Sequence, residues 1–184
     1  MTESLVFVLG GARSGKSRYA ESRIADTGAE RIYLATAEAR DSEMTARIAE
    51  HRRRRGDAWR TIEEPLELAS TLVSVGATDT AILVDCLTLW LANLMAEDRD
   101  LDAETERLLE ALPGVAGAVV MVSNEVGLGI VPDNAEARRF RDAAGHLHQS
   151  IAAVADEVVL VVAGLAHTLK PREGEIASDV HKRT

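Results

Sequence analysis

Five short aliphatic and β-branched runs recur along the chain, at Leu5–Leu9, Ile32–Ala35, Ala81–Val84, Val119–Val122 and Val158–Val162. Each is apolar at consecutive rather than alternate positions, the pattern of a strand buried on both faces. Most of them are separated by stretches with apolar residues three and four apart. That spacing predicts helices at Lys16–Asp26, Ser42–Arg54, Leu66–Val75, Thr88–Ala96, Asp102–Leu112 and Asn134–Ala155. Strands alternating with helices specify an α/β fold, a mostly parallel sheet with helices on both faces. No repeat, low-complexity segment or linker interrupts the pattern. Residues 1–170 therefore read as one domain, and 171–184 as a polar, loosely held tail.

Composition narrows the classes. With 184 residues, 46% of them hydrophobic, the chain can enclose a core. Its net charge of −9 argues against a surface that coats nucleic acid, so any anionic ligand must be held by a local concentration of donors. Aromatic residues make up 3%, too few for a base-stacking platform. The single cysteine, Cys86, cannot form an internal disulfide and offers no metal-binding spacing, which fits a reducing cytoplasm. The Leu5–Leu9 run lacks a basic flank and is shorter than the ~7–15 residues of a signal-peptide core. Val115–Val122 and Val158–Ala163 fall short of the ~20 residues that span a bilayer. The expectation is a cytoplasmic protein with no membrane span and no nucleic-acid partner.

The strongest motif is Gly10-Gly11-Ala12-Arg13-Ser14-Gly15-Lys16-Ser17, which satisfies G-x-x-x-x-G-K-[ST] between a predicted strand and a predicted helix. Glycines let backbone N–H groups turn around an anion, and the helix that follows points its positive end at the same place. In such a loop Lys16 bridges the β- and γ-phosphates and Ser17 places its hydroxyl on Mg²⁺. The plain alternative is a glycine-rich turn. A second element of such sites is a carboxylate at the C-terminal end of a buried strand, and Ala81-Ile82-Leu83-Val84-Asp85 supplies one. Asp85 is the candidate to hold the metal through water, although Asp at this position also suits a helix cap. Ligands of open parallel sheets bind beyond the carboxyl ends of the strands. Asp85, the glycine-rich loop, Ala35-Thr36-Ala37 and Ser123-Asn124-Glu125 thus fall along one edge. Asn124 and Glu125 there suit either substrate orientation or a turn before Gly127.

Six arginines against two acids lie between Arg47 and Arg60, a basic island in an acidic chain. Asp41 or Ser42 can open a helix here, Met44 and Ile48 make an apolar seam, and Arg47, His51 and Arg55 share one line at i, i+4 spacing. Flanking positive charge disfavours imidazolium, which keeps His51 neutral and nucleophilic. A histidine attacking phosphorus divides one difficult transfer into two easier ones, with guanidiniums stabilising the charge on phosphate oxygens. The alternative is a solvated arginine-rich helix face. Of the other histidines, His146 and His148 read as helix-surface residues, His181 belongs to the tail, and His167 has no comparable setting.

Several segments together resemble the bifunctional adenosylcobinamide kinase/adenosylcobinamide-phosphate guanylyltransferase family. They are Gly10–Ser17, Tyr33-Leu34-Ala35-Thr36-Ala37, Asp41 through Met44 and Arg47 to His51, Trp59-Arg60-Thr61, and Ser123-Asn124-Glu125-Val126-Gly127-Leu128-Gly129-Ile130-Val131-Pro132. Phe140–Gly145 and Ala155–Val158 extend the likeness, which covers Leu5 to Lys170. The resemblance implies phosphorylation of adenosylcobinamide by ATP or GTP, then transfer of GMP from GTP through a GMP-histidine at His51, releasing pyrophosphate. It implies nucleotide contacts at Gly10, Gly11, Ala12, Arg13, Ser14, Gly15, Lys16, Ser17, Ala35, Thr36, Ala37, Arg52, Arg53, Arg54, Arg55, Glu63 and Asp85, with Mg²⁺ at Ser17 and Asp85. It further implies a RecA-like P-loop fold and a homotrimer with clefts between subunits. Two other readings compete: a P-loop small-molecule kinase whose arginines only clamp phosphate, and a nucleotide-dependent interaction protein.

Overall fold

The computed structural model describes residues 2–38, 46, 49, 50, 52, 53 and 55–174. Seven strands build one sheet: β1 (Thr2–Gly10), β2 (Glu30–Ala35), β3 (Trp59–Glu63), β4 (Thr80–Asp85), β5 (Gly117–Asn124), β6 (Glu157–Val162) and β7 (Leu165–Lys170). Their order is β3-β2-β4-β5-β1-β6-β7. Every neighbouring pair is parallel except the terminal β6–β7 hairpin, which is antiparallel. The sheet is therefore mostly parallel, as the apolar runs require.

Side chains alternate between its faces with period two. Phe7, Leu34, Ile82, Val84, Val119 and Met121 pack on one side beneath the helices α2 (Leu68–Val75), α3 (Leu87–Ala96), α4 (Leu101–Ala111) and α5 (Ala135–Val154). Val6, Val8, Leu83, Val120, Val122 and Val159 pack on the other, against Ala20 and Ile24 of α1 (Lys16–Ala25). Trp90, almost fully buried, donates its indole N–H to the Leu66 carbonyl at 2.8 Å, so its one polar atom is satisfied inside an aliphatic core. Helix ends follow their sequences: the Asp100 carboxylate caps α4, and the Asn134 amide oxygen accepts from the Ala137 N–H at 2.8 Å to cap α5. At the far end of α5, the Lys170 ammonium donates to the carbonyls of Ala152, Ala153 and Ala155.

Two strands escape the apolar-run reading. β3 is an edge strand whose residues are half-buried or exposed, and β7 is exposed along nearly its whole length. Neither needs the continuous apolar run of a doubly covered strand. Of the expected helix Ser42–Arg54, residues 46, 49, 50, 52 and 53 are helical, and the rest lies outside the described residues. Of the expected tail, residues 171–174 are described, and Arg172 approaches Glu157 at 3.5 Å.

Gly117 opens β5 with φ +84, and a Cβ there would meet the Thr80 and Ala77 carbonyl oxygens at 2.3 and 2.4 Å. Gly117→Ala should cost about 3 kcal/mol, combining left-handed strain with a backbone clash. A shifted urea midpoint with unchanged slope would show it; an unshifted midpoint would contradict this account of the turn.

Candidate active site

β1 ends at Gly10, and the chain turns through Arg13 (φ 56) and Gly15 (φ 97) before α1 begins at Lys16. Gly10 is required by space: a Cβ would lie 2.5 Å from both Ser14 Oγ and the Val161 carbonyl oxygen. Gly15 is required by its positive φ and by Gly164, whose Cα would sit 3.2 Å from an added Cβ. Gly164, in the β6–β7 turn, donates its N–H to the Ser14 carbonyl at 2.8 Å. No side chain caps α1. Its first-turn N–H groups and dipole therefore face the loop's interior, the arrangement that binds phosphate. Lys16 is buried at the helix start, with Nζ donating to the Gly11 carbonyl at 3.2 Å.

The strand register brings the other candidates to the same edge. Gly10 is level with Asn124, and Ala35 with Asp85. Lys16, Ser17, Ala35, Ala37 and Asp85 line one cavity, joined from the basic island by Arg52 and Arg55 and from β3 by Thr61 and Glu63. Arg52 and Glu63 form an ion pair there. The Arg55 guanidinium lies over the Tyr33 ring, 3.3 Å from its centroid, and its Nε and Nη1 are buried without a hydrogen-bond partner. A desolvated guanidinium with open donors calls for an anion. Burial, with Asp85 close by, raises the Tyr33 phenol well above its ordinary range. Burial and Asp85 likewise push the Cys86 thiol up to about 11, so it stays protonated and unreactive. Asp85 is the last residue of β4, while the N-cap of α3 is Cys86 and no side chain caps that helix. The capping alternative for Asp85 is thus unused.

Among the remaining candidates, Ala12 and Arg13 are exposed on the loop. Thr36 is fully buried: its hydroxyl donates to the Cys86 carbonyl and accepts from the Cys86 N–H, both at 2.8 Å, tying the ends of β2 and β4 together. Its side chain braces the cavity floor, with Ala35 and Ala37 on the lining. Arg53 lines a neighbouring hollow with Arg52, Arg55 and Asp57. Arg54 and His51 lie outside the described residues, as do Asp41, Ser42, Met44, Arg47 and Ile48. Tyr33, Thr61, Leu89 and Asn124 line the cavity although sequence reasoning assigned them no nucleotide contact. For Tyr33 a signal existed, an aromatic residue within a predicted strand, two residues before its end, in a chain with two tyrosines. His148 corrects an expectation: it is buried, not on the helix surface, because it falls on the face of α5 shared by Ala144, Leu147 and Ile151. His146 is exposed as expected.

The sequence matches the family described as cobinamide kinase / cobinamide phosphate guanyltransferase over residues 6–169. The chain belongs to that family. It is an enzyme with those two activities. The bifunctional adenosylcobalamin biosynthesis protein CobP of Pseudomonas aeruginosa is 54% identical over 165 residues, covering 89% of this chain and 95% of that protein. Its counterpart CobU of Salmonella typhimurium is 42% identical, covering 90% and 99%. Among solved structures, a protein from Pyrococcus horikoshii OT3 superposes with a TM-score of 0.58 at 11% identity, covering 96% of this chain and 90% of that one. The type III secretion ATPase EscN of enteropathogenic E. coli does so at 0.53 and 12%, covering 85% and 41%. These likenesses are of fold alone, and the fold is a RecA-like P-loop NTPase. Among the described residues, no helix is long and apolar enough to cross a membrane, and no cluster of three or more His, Cys, Asp or Glu is placed to bind a metal.

In this family member Lys16→Ala should lower kinase turnover by at least ~10²-fold, because a preorganised charge is removed from the moving phosphoryl group. Transfer of labelled γ-phosphate from ATP to adenosylcobinamide measures it. Near-normal turnover in a folded variant would contradict the assignment.

Proposed function

We propose that the chain phosphorylates the aminopropanol hydroxyl of adenosylcobinamide with ATP or GTP and then, through a GMP-histidine at His51, converts the phosphate to adenosylcobinamide-GDP. The observation that carries this reading is the convergence of two separately encoded features, the uncapped glycine-rich loop and the arginine island, on one cavity that holds Lys16, Asp85, Arg52 and Arg55. His51 is the residue directly before Arg52 in the sequence of the arginine island.

In the first reaction the substrate hydroxyl attacks the γ-phosphorus and the nucleoside diphosphate leaves, its developing charge met by Lys16 and the α1 N-terminus. The Ser17 hydroxyl and Asp85 carboxylate, oxygen donors lining the same cavity, would hold Mg²⁺, a hard cation that takes its remaining ligands from phosphate and water. When bound, Mg²⁺ neutralises phosphate charge. In the second reaction a ring nitrogen of His51 attacks the α-phosphorus of GTP, a P–N bond forms, and pyrophosphate leaves. The phosphate of adenosylcobinamide-phosphate then displaces the histidine, restoring the free ring. Arg52 and Arg55 supply guanidinium donors for the charge that builds on the phosphate oxygens. We place these reactions in the cytoplasm, and we propose a homotrimer. Leu128, Ile130 and Val131 beyond β5, and Val162 and Leu165 at the β6–β7 turn, expose apolar surface on both flanks of the phosphate loop, which a second copy would bury.

Mass spectrometry after incubation with GTP should find one GMP on the peptide carrying His51, labile to acid and stable to alkali, and none in His51→Ala. An adduct that persists in that variant would leave a kinase without this nucleotidyl-transfer route. Light scattering should give three times the chain mass, falling toward one in Leu165→Asp; a monomeric wild type would sink the trimer.

A further inference from the structure

At the C-terminal end of β5 the pattern of its buried face changes. Val119 and Met121 pack among the aliphatic side chains under α2 to α5, and the next residue on that face, Ser123, is equally buried but polar. Its partner is His148 of α5, with Nε2 2.8 Å from Ser123 Oγ. The imidazole also packs at a tilt on Phe7, ring centroids 5.7 Å apart, and its Nδ1 lies 4.0 Å from Glu125 Oε2. Burial lowers the His148 pKa from the ordinary histidine value, and the Glu125 charge opposes that shift. In the tautomer that carries its proton on Nδ1, the nitrogen on the Glu125 side, Nε2 accepts a hydrogen bond from the Ser123 hydroxyl.

The order Ser–His–Glu resembles a nucleophilic triad, yet Ser123 is 0% exposed and the Nδ1 contact is longer than a hydrogen bond. No substrate reaches this serine. Packing alone would be served as well by two aliphatic residues, which carry no desolvation cost. A buried polar pair instead fixes one orientation. What it orients is the strand end. Between Ser123 and Glu125 sits Asn124, on the opposite face, lining the nucleotide cavity with its amide N–H donated to Thr88 Oγ1 at 2.9 Å. Glu125 in turn donates its backbone N–H to the Gly10 carbonyl at 3.0 Å, where the phosphate loop begins.

We propose that His148 is a positioning residue for phosphoryl transfer: through its hydrogen bond to Ser123 it holds the strand end that presents Asn124 to the cavity and that the Glu125 backbone ties to the first residue of the phosphate loop. The proposal rests on the reading of that cavity as the nucleotide site. It assigns His148 an effect on the reacting geometry with little effect on nucleotide capture, which belongs to the loop and the arginines.

The test compares wild type, His148→Leu, His148→Gln and Ser123→Ala by kinase kinetics, by calorimetric binding of a non-hydrolysable ATP analogue, and by thermal melting. His148→Leu should lower kcat about tenfold or more, with analogue Kd within about twofold of wild type. His148→Gln, whose terminal amide reaches the Nε2 position, should recover most of the loss. Ser123→Ala removes only the hydroxyl that bonds His148, so it carries the same test if the Leu variant fails to fold, and it too should lower kcat. Unchanged kcat in Ser123→Ala or His148→Leu would overturn the proposal. So would a parallel loss of kcat and analogue affinity, or failure of Gln to restore turnover at a wild-type melting temperature. A wild type that does not bind the analogue would overturn the reading of the cavity itself.

Discussion

A helix that starts without a side-chain cap, directly behind a buried strand, is the constraint around which the molecule is arranged. β1 is covered on both faces and flanked by β5 and β6, so its end cannot drift. The chain must reverse within a few residues into α1, which only Gly10 and Gly15 permit at their positions. The unsatisfied N–H groups of that helix end then need an anion. Lys16 adds to that positive end, and Asp85 at the end of β4 lines the same cavity. A chain of net charge −9 thus binds an anion through local geometry, with its overall charge running the other way.

The central strands were legible because their surroundings admit only one kind of sequence. A strand with helices above and below must be apolar at consecutive positions, and β1, β2, β4, β5 and β6 are. β3 and β7 sit at the sheet edges, where one flank and much of each face meet solvent, and their compositions carry no such mark. The phosphate loop was equally legible, since its glycines answer to steric limits that hold in any fold.

Side-chain partnerships across the fold were harder to read. Thr36 stands within a segment that belongs to the cavity wall, yet its hydroxyl is consumed by the Cys86 backbone, a partner fifty positions away. His148 looks like a surface residue because polar neighbours surround it in sequence. Only the helix phase relative to Ala144 and Ile151, together with a serine at the end of β5, turns it inward. Tyr33 becomes informative once Arg55 is seen lying on its ring. In each instance the deciding contact spans more than twenty residues, beyond the reach of local periodicity.

The hydrogen bond from Gly164 to Ser14 joins the hairpin turn to the middle of the phosphate loop, and Gly164 lies close enough to crowd any side chain at Gly15. The rim and the cradle are in this sense a single mechanical piece. The turn of the outer hairpin is therefore part of what fixes the shape of the phosphate loop.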